Sequence, residues 1–360
     1  MAETRRPELR ALTGARGIAA WLVVLYHIRE SVAGMPIWAL TIVAHGYLAV
    51  DFFFLLSGFV LYLTYADALR SGGWRAVPDF LWRRAARVWP LHAVVLSGTA
   101  ALALVLAVGG RPDAGQFPFD TLPLHYLLVQ NWGLTDRLAW NDPAWSISAE
   151  MAAYLAFPLL AFAIDWRRVP AWAIFAALMA LFALLDAAIG GSLNADIPRN
   201  GMLRCVVEFS AGTAICGLWL RWRDQGNVAL AALGFAAIFL LGITTGALSE
   251  TLAVPAAFAA ALLALAISDR RGNPLCAHLP HRLGELSYAT YLAHFPMWKA
   301  FKLLLVSAPG AVGWPLIALY LLAVLAGSAV LYRWVERPAQ RWLLAMPARI
   351  AGDRRTRRVA

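Results

Sequence analysis

Residues 12–28 read LTGARGIAAWLVVLYHI, an apolar run that holds one arginine, Arg16, and one histidine, His27. A helix over these residues rises about 25 Å at 1.5 Å per residue, close to the roughly 30 Å hydrocarbon core of a bilayer. Comparable runs follow at 46–66, 89–109, 143–164, 170–190, 202–220, 227–246, 251–268, 284–305 and 314–334. Of the 360 residues 61% are hydrophobic and only 14% charged, a balance that soluble domains of this length do not show. The sequence therefore predicts an all-α polytopic membrane bundle of about ten transmembrane helices. The transmembrane domain is expected over 1–345 and a basic cytoplasmic tail over 346–360, the latter ending in Arg354, Arg355, Arg357 and Arg358.

Placing the N-terminus in the cytoplasm and alternating sides puts most of the 31 lysines and arginines on inner loops and span ends, so the positive-inside rule predicts both termini inside. The segment 119–132, FDTLPLHYLLVQNW, is apolar but too short to cross and is expected to be re-entrant or to lie at the surface. A net charge of +10 does not indicate nucleic acid, because the basic residues are dispersed among short loops. The first run ends in no small-residue cleavage site and is read as a retained span, not a signal peptide. Cys205, Cys216 and Cys276 lack metal-ligand spacing, so no metal is expected. Walker A, HExxH, GxSxG and EF-hand patterns are absent, leaving ATP-driven transport, zinc proteolysis and serine-hydrolase chemistry without their usual marks.

Ionisable groups inside spans cost several kcal/mol unless they pair or line a wet cavity, so each invites a role. Arg16 and His27 are eleven residues apart, near three helical turns, and so share a face while standing about 16 Å apart. On the alternating topology His27, Asp51 and Glu150 lie at one depth, where a carboxylate could fix the tautomer of His27 and support it as a general base. In LWRRAARVWP (81–90), Arg84 and Arg87 fall on one side of a short helix, suited to phosphate oxygens. Tyr288, Tyr291 and His294, in LGELSYATYLAHFPMW (283–298), step by three and form one polar stripe. Each has an ordinary reading as well. The stripe and His27 could simply bond between helices, Asp51 and Glu150 could partner some arginine, Ser57 and Gly58 could be small-residue packing, and the loop arginines could only set topology. Glu336, Arg337 and Pro338 are expected to end and anchor the last span.

Taken together, LTGARGIAAWLVVLYH at the start, VDFFFLLSGFVL at 50–61, the Arg84/Arg87 pair, PAWSISAEMAAY at 143–154, LSYATYLAHFP at 286–296 and VERP at 335–338 resemble the acyltransferase 3 family, in family order across nearly the whole chain. The resemblance implies a ten-helix enzyme of the bacterial inner membrane. Such an enzyme moves an acyl group, commonly acetyl from cytoplasmic acetyl-CoA, to a hydroxyl of a carbohydrate, lipid-linked sugar or other glycan precursor. Carried over by position, it implies Arg16 and His27 as catalytic and Arg84 and Arg87 as acyl-CoA ligands, and the shared depth of Asp51 and Glu150 makes one of them the expected orienting partner of the histidine. Ser57, Trp145, Ser146, Tyr288 and His294 are then expected at the substrate or oxyanion. Thr13 stands where many members have aspartate, and no extracellular hydrolase-like domain follows the last span, so transfer is expected to finish within the membrane domain. Polar residues at mid-depth and a basic inner face also suit a secondary transporter of a lipid-linked or small anionic solute, although paired inverted repeats are not seen. A non-catalytic sensor or assembly partner would leave Arg16 and His27 without a role.

Overall fold

The computed structural model describes residues 8–356 apart from 112, 114, 270–271 and 307–310, with side chains up to residue 346. The arginines of the expected tail therefore lie outside the described side chains. In chain order the helices are α1 (Arg10–Ile28), α2 (Ile37–Ala44), α3 (Ala49–Gly72), α4 (Val77–Val108), α5 (Leu122–Leu127), α6 (Ala144–Ala163), α7 (Ala171–Ile189), α8 (Ile197–Trp222), α9 (Gly226–Thr244), α10 (Glu250–Ser268), α11 (His278–Leu305), α12 (Trp314–Leu331) and α13 (Arg337–Thr356). A π-helical turn, Tyr332–Glu336, joins the last two.

Among the described residues eight segments are long and apolar enough to cross a membrane; the segment Ile37–Val108 contains both α3 and α4. The protein is thus an all-α polytopic membrane bundle. α11 covers the predicted run 284–305 but carries Arg282, Glu285, Lys299 and Lys302 along its length, which lowers its apolarity. α9 turns Leu230, Leu233, Phe235 and Ile238 outward, as a face toward lipid requires.

Two parallel helix pairs form the centre, and both depend on missing side chains. A Cβ on Gly17 would stand 2.6 Å from the Gly284 nitrogen, and one on Gly284 would strike the Thr13 carbonyl, so α1 and α11 pack backbone to backbone. Gly58 and Gly212 do the same for α3 and α8, against the carbonyls of Phe209 and Leu55. Gly58 is therefore a packing residue, whereas its neighbour Ser57 faces a cavity.

Two of the departures from the sequence reading move functional residues. α4 begins twelve residues before the apolar run it was read from, because Pro78 and Asp79 supply a helix start and Asp79 pairs with Arg83 at 2.8 Å one turn on. Arg84 and Arg87 consequently sit within a long helix instead of a loop. In the segment 119–132, α5 is six residues long and stops at Leu128, which adopts a left-handed conformation (φ 58°). The chain beyond it folds into the bundle, where its polar groups find partners. The Asn131 amide donates to Ser148 Oγ at 3.0 Å, Trp132 Nε1 donates to the Ser148 carbonyl at 2.9 Å, and Asn141 Nδ2 donates to the Leu292 carbonyl at 2.8 Å. Non-helical backbone persists at such depth only when protein surrounds it.

Candidate active site

Two cavities lie along the axis of the bundle. The inner one, about 180 Å³, is at the end of α1 that carries Arg16; the outer one, about 540 Å³, is at the end that carries His27.

Helices α1, α3, α4, α6 and α11 line the inner cavity, which brings together Arg16, Ser57, Arg84, Arg87, Glu150 and Tyr288. Arg16 Nη2 donates to the Gly284 carbonyl at 2.8 Å, within reach because neither Gly17 nor Gly284 holds the helices apart. Arg84 Nη2 donates to the Tyr65 hydroxyl at 2.9 Å, with its guanidinium 5.0 Å from that ring. Arg87 is ion-paired with Glu336 and lies 5.4 Å from the Tyr288 ring. Glu336 was read as an anchor for the last span, but the π-helical turn swings it inward, leaving it 2% exposed. The Nε–H groups of Arg16 and Arg84 are buried without an acceptor among the described residues. Buried donors are rarely left so, which makes this chamber fit an anionic or carbonyl-bearing guest.

His27 lines the outer cavity with Tyr26, Tyr47, Trp145 and Asp142. Its neighbours fix its tautomer. His294 Nδ1 stands 3.0 Å from the Thr290 carbonyl, which can only accept, so that nitrogen carries the proton and His294 Nε2 is a lone pair. His27 Nδ1 faces this lone pair at 3.2 Å and the Val23 carbonyl at 2.8 Å, two acceptors, and must carry its own proton. The nitrogen left as a base is His27 Nε2. Asp142, in the segment ahead of α6 and outside the spans, has its carboxyl pushed up by burial, opposed by Lys299.

The carboxylates expected beside His27 are elsewhere. Asp51 accepts from Arg204 Nε at 2.6 Å and Arg204 Nη2 at 2.5 Å, and both residues are at most 1% exposed. This buried pair takes up the capacity that was assigned to the histidine. Glu150 instead lines the inner cavity, with Ser146 and Tyr154 of the same helix. His294, placed in the sequence at the substrate or oxyanion, instead backs His27. Trp145 stacks over Arg204 at 5.5 Å in the outer cavity wall.

Tyr291 borders both cavities. Its hydroxyl is 2.7 Å from Ser146 Oγ and donates to the Pro143 carbonyl at 3.0 Å, so this ring and Ser146 form the partition between them. The stripe on α11 thus runs from Tyr288 at the inner cavity, through the partition, to His294 behind His27. Arg204, Glu208 and Asp142 were not singled out in the sequence. Arg204 and Glu208 stand at i and i+4 on α8, a spacing that places them on one face toward Asp51. Among the described residues no group of His, Cys, Asp and Glu is placed to hold a metal ion.

The acyltransferase 3 family model, described as an acyltransferase domain, matches residues 9–333 and so covers both cavities. The chain is 32% identical over 375 aligned positions to "Acyltransferase MdmB" of Streptomyces mycarofaciens, spanning 93% of this chain and 92% of that protein. It is 34% identical over 157 positions to "Protein 2 in picA locus" of Rhizobium radiobacter, spanning 39% of this chain and 75% of that protein. No solved structure matches. A family match over nearly the whole length, on a bundle that holds the motif residues around two adjoining cavities, establishes that this chain belongs to the acyltransferase 3 family of integral membrane acyltransferases.

Proposed function

We propose that the protein is an O-acyltransferase that takes an acyl group, acetyl in the first instance, from cytoplasmic acyl-CoA and passes it to a hydroxyl of a carbohydrate or glycan precursor. In this reading ten helices cross a bacterial inner membrane with both termini in the cytoplasm, and the Arg16 end of the bundle faces the donor. The observation that carries it is the junction at Tyr291 of a chamber with free guanidinium donors and a chamber holding a histidine with one basic nitrogen.

The phosphates of acyl-CoA bind at the inner mouth against Arg84, with Arg87 held ready by Glu336, while the pantetheine arm passes Arg16 toward Tyr291. The acceptor hydroxyl gives its proton to His27 Nε2 as its oxygen attacks the thioester carbonyl. The tetrahedral oxyanion forms beside Tyr291 and Ser146, whose hydroxyl protons turn to it from the Pro143 carbonyl, and collapse breaks the C–S bond. The CoA thiolate takes the proton back from His27 Nε2, so the ring returns to its starting tautomer and no proton is consumed. Asp51 serves by holding Arg204 and Trp145 in the wall and makes no contact with the reacting atoms.

Membranes containing wild type or His27→Gln, given labelled acetyl-CoA and extracted for acylated glycans and lipid-linked sugars, test this directly. General-base assistance is worth about 10²–10⁴ in rate, and a loss of that size is expected. Equal labelling by the two, or solute uptake by wild type without acyl-CoA, would sink the reading.

A further inference from the structure

A groove of about 540 Å³ lies on the outside of the bundle between α11, α12, the π-helical turn and α13, at the same end as Arg16. Arg282, Arg333, Arg337 and Arg341 line it, and the one carboxylate there, Glu285, is held by Arg282 at 2.8 Å. Arg337 rests over the Tyr332 ring at 5.4 Å. Arg333 and Arg341 have no carboxylate within ion-pair distance among the described residues and stand exposed. Three cations thus converge on one hollow whose single carboxylate, among the described residues, is held by Arg282.

The surroundings indicate what supplies the charge. Leu286, Ala329 and Pro338 form the apolar part of the groove. Trp334 and Trp342 are exposed by 73% and 54% on the same two elements, the placement of rings that sit at a membrane surface. The hollow therefore opens where lipid headgroups lie, and arginine forks match phosphate oxygens in pairs. The π-helical turn makes this arrangement: its extra residue sends Glu336 inward to Arg87 while Arg333 and Arg337, one turn apart, stay on the surface.

We infer that this groove is a binding site for the phosphate of an anionic phospholipid headgroup, separate from the acyl-CoA chamber and held by Arg333, Arg337 and Arg341. Basic pockets between membrane helices recognise such headgroups by this chemistry. The inference stands on the groove itself and does not depend on the acyl-transfer reading.

The test is native mass spectrometry of the full-length protein from nanodiscs of phosphatidylglycerol mixed with phosphatidylcholine. Wild type is compared with R333Q/R337Q/R341Q, with R341Q alone, and with R223Q, an exposed arginine at the end of α8 paired only loosely with Asp224 at 3.8 Å. The triple variant is expected to retain at least about tenfold less phosphatidylglycerol, R341Q to fall between it and wild type, and R223Q to match wild type. Because R341Q changes one exposed side chain on a helix surface, it reports on the site even if the triple variant folds poorly. Retention in R341Q equal to wild type would overturn the inference. So would displacement of the lipid by millimolar inorganic phosphate, which marks a site for any free anion, or by acetyl-CoA, which marks a donor subsite.

Discussion

Arg204 and Asp51 show how a single pairing redistributes roles. With both charges out of contact with water, removing one partner leaves the other uncompensated, which costs about 3–5 kcal/mol in comparable buried pairs. Glu208, fully buried one turn along α8, faces the same pair and adds a second carboxyl beside Asp51. Arg204→Met should therefore lower the thermal midpoint in detergent sharply, and the double variant Arg204→Met/Asp51→Leu should recover most of it. On the reading proposed above, His294 serves chemistry more than stability, because its lone pair faces the proton on His27 Nδ1. His294→Phe should lower kcat by roughly tenfold or more with little change in the KM for acyl-CoA, and His294→Gln, which keeps an acceptor, should lose less. Steady-state kinetics at fixed acceptor would separate the two effects. Much of this was legible: Arg16 and His27 stand out in any apolar run, and His294 lies on a visible three-residue stripe. Arg204 did not, because an arginine near a span end reads as an interfacial charge until the helix is seen to continue five residues before the apolar run.

At the scale of elements, the parallel contact between α1 and α11 sets the distance between the histidines. Gly284→Val would drive a branched side chain into the Thr13 backbone, and overpacking of this kind costs about 1–3 kcal/mol. Its effect on activity should exceed its effect on stability, since separating the helices also separates His27 from His294. Gly98→Val on α4, where an added Cβ meets nothing, is the matched control and should leave the thermal midpoint nearly unchanged apart from a small propensity difference. That the chain folds as an all-helical membrane bundle was readable from apolar length alone. The path of the polar segment 128–143 was not, because it buries itself through Asn131, Trp132 and Asn141, and periodicity carries no record of such partners. The inward turn of Glu336 was hidden for a different reason, since a π-helical insertion shifts every later residue by about 100° without a sequence mark that distinguishes it from ordinary helix.

For the molecule as a whole, the decisive feature is that two cavities at opposite ends of α1 share Tyr291 as a lining residue, with Ser146 bonded to it. If each cavity is wetted from its own side, the electrical thickness of the membrane contracts at this point to the width of one phenol ring. Moving a unit charge across a full potential costs about 2.3 kcal/mol per 100 mV. A donor that leaves its phosphates among the arginines and sends only an uncharged arm past the ring avoids that cost. Acyl transfer in sealed vesicles should accordingly run at the same rate whether or not a potential is imposed, as a valinomycin and potassium gradient can show. Tyr291→Ala should open a measurable leak of protons or small ions through the bundle, while Tyr291→Phe should stay tight. On the acyl-transfer reading proposed above, the tyrosine in the partition is thus also an insulator, and an acyl group passes the bilayer without discharging it.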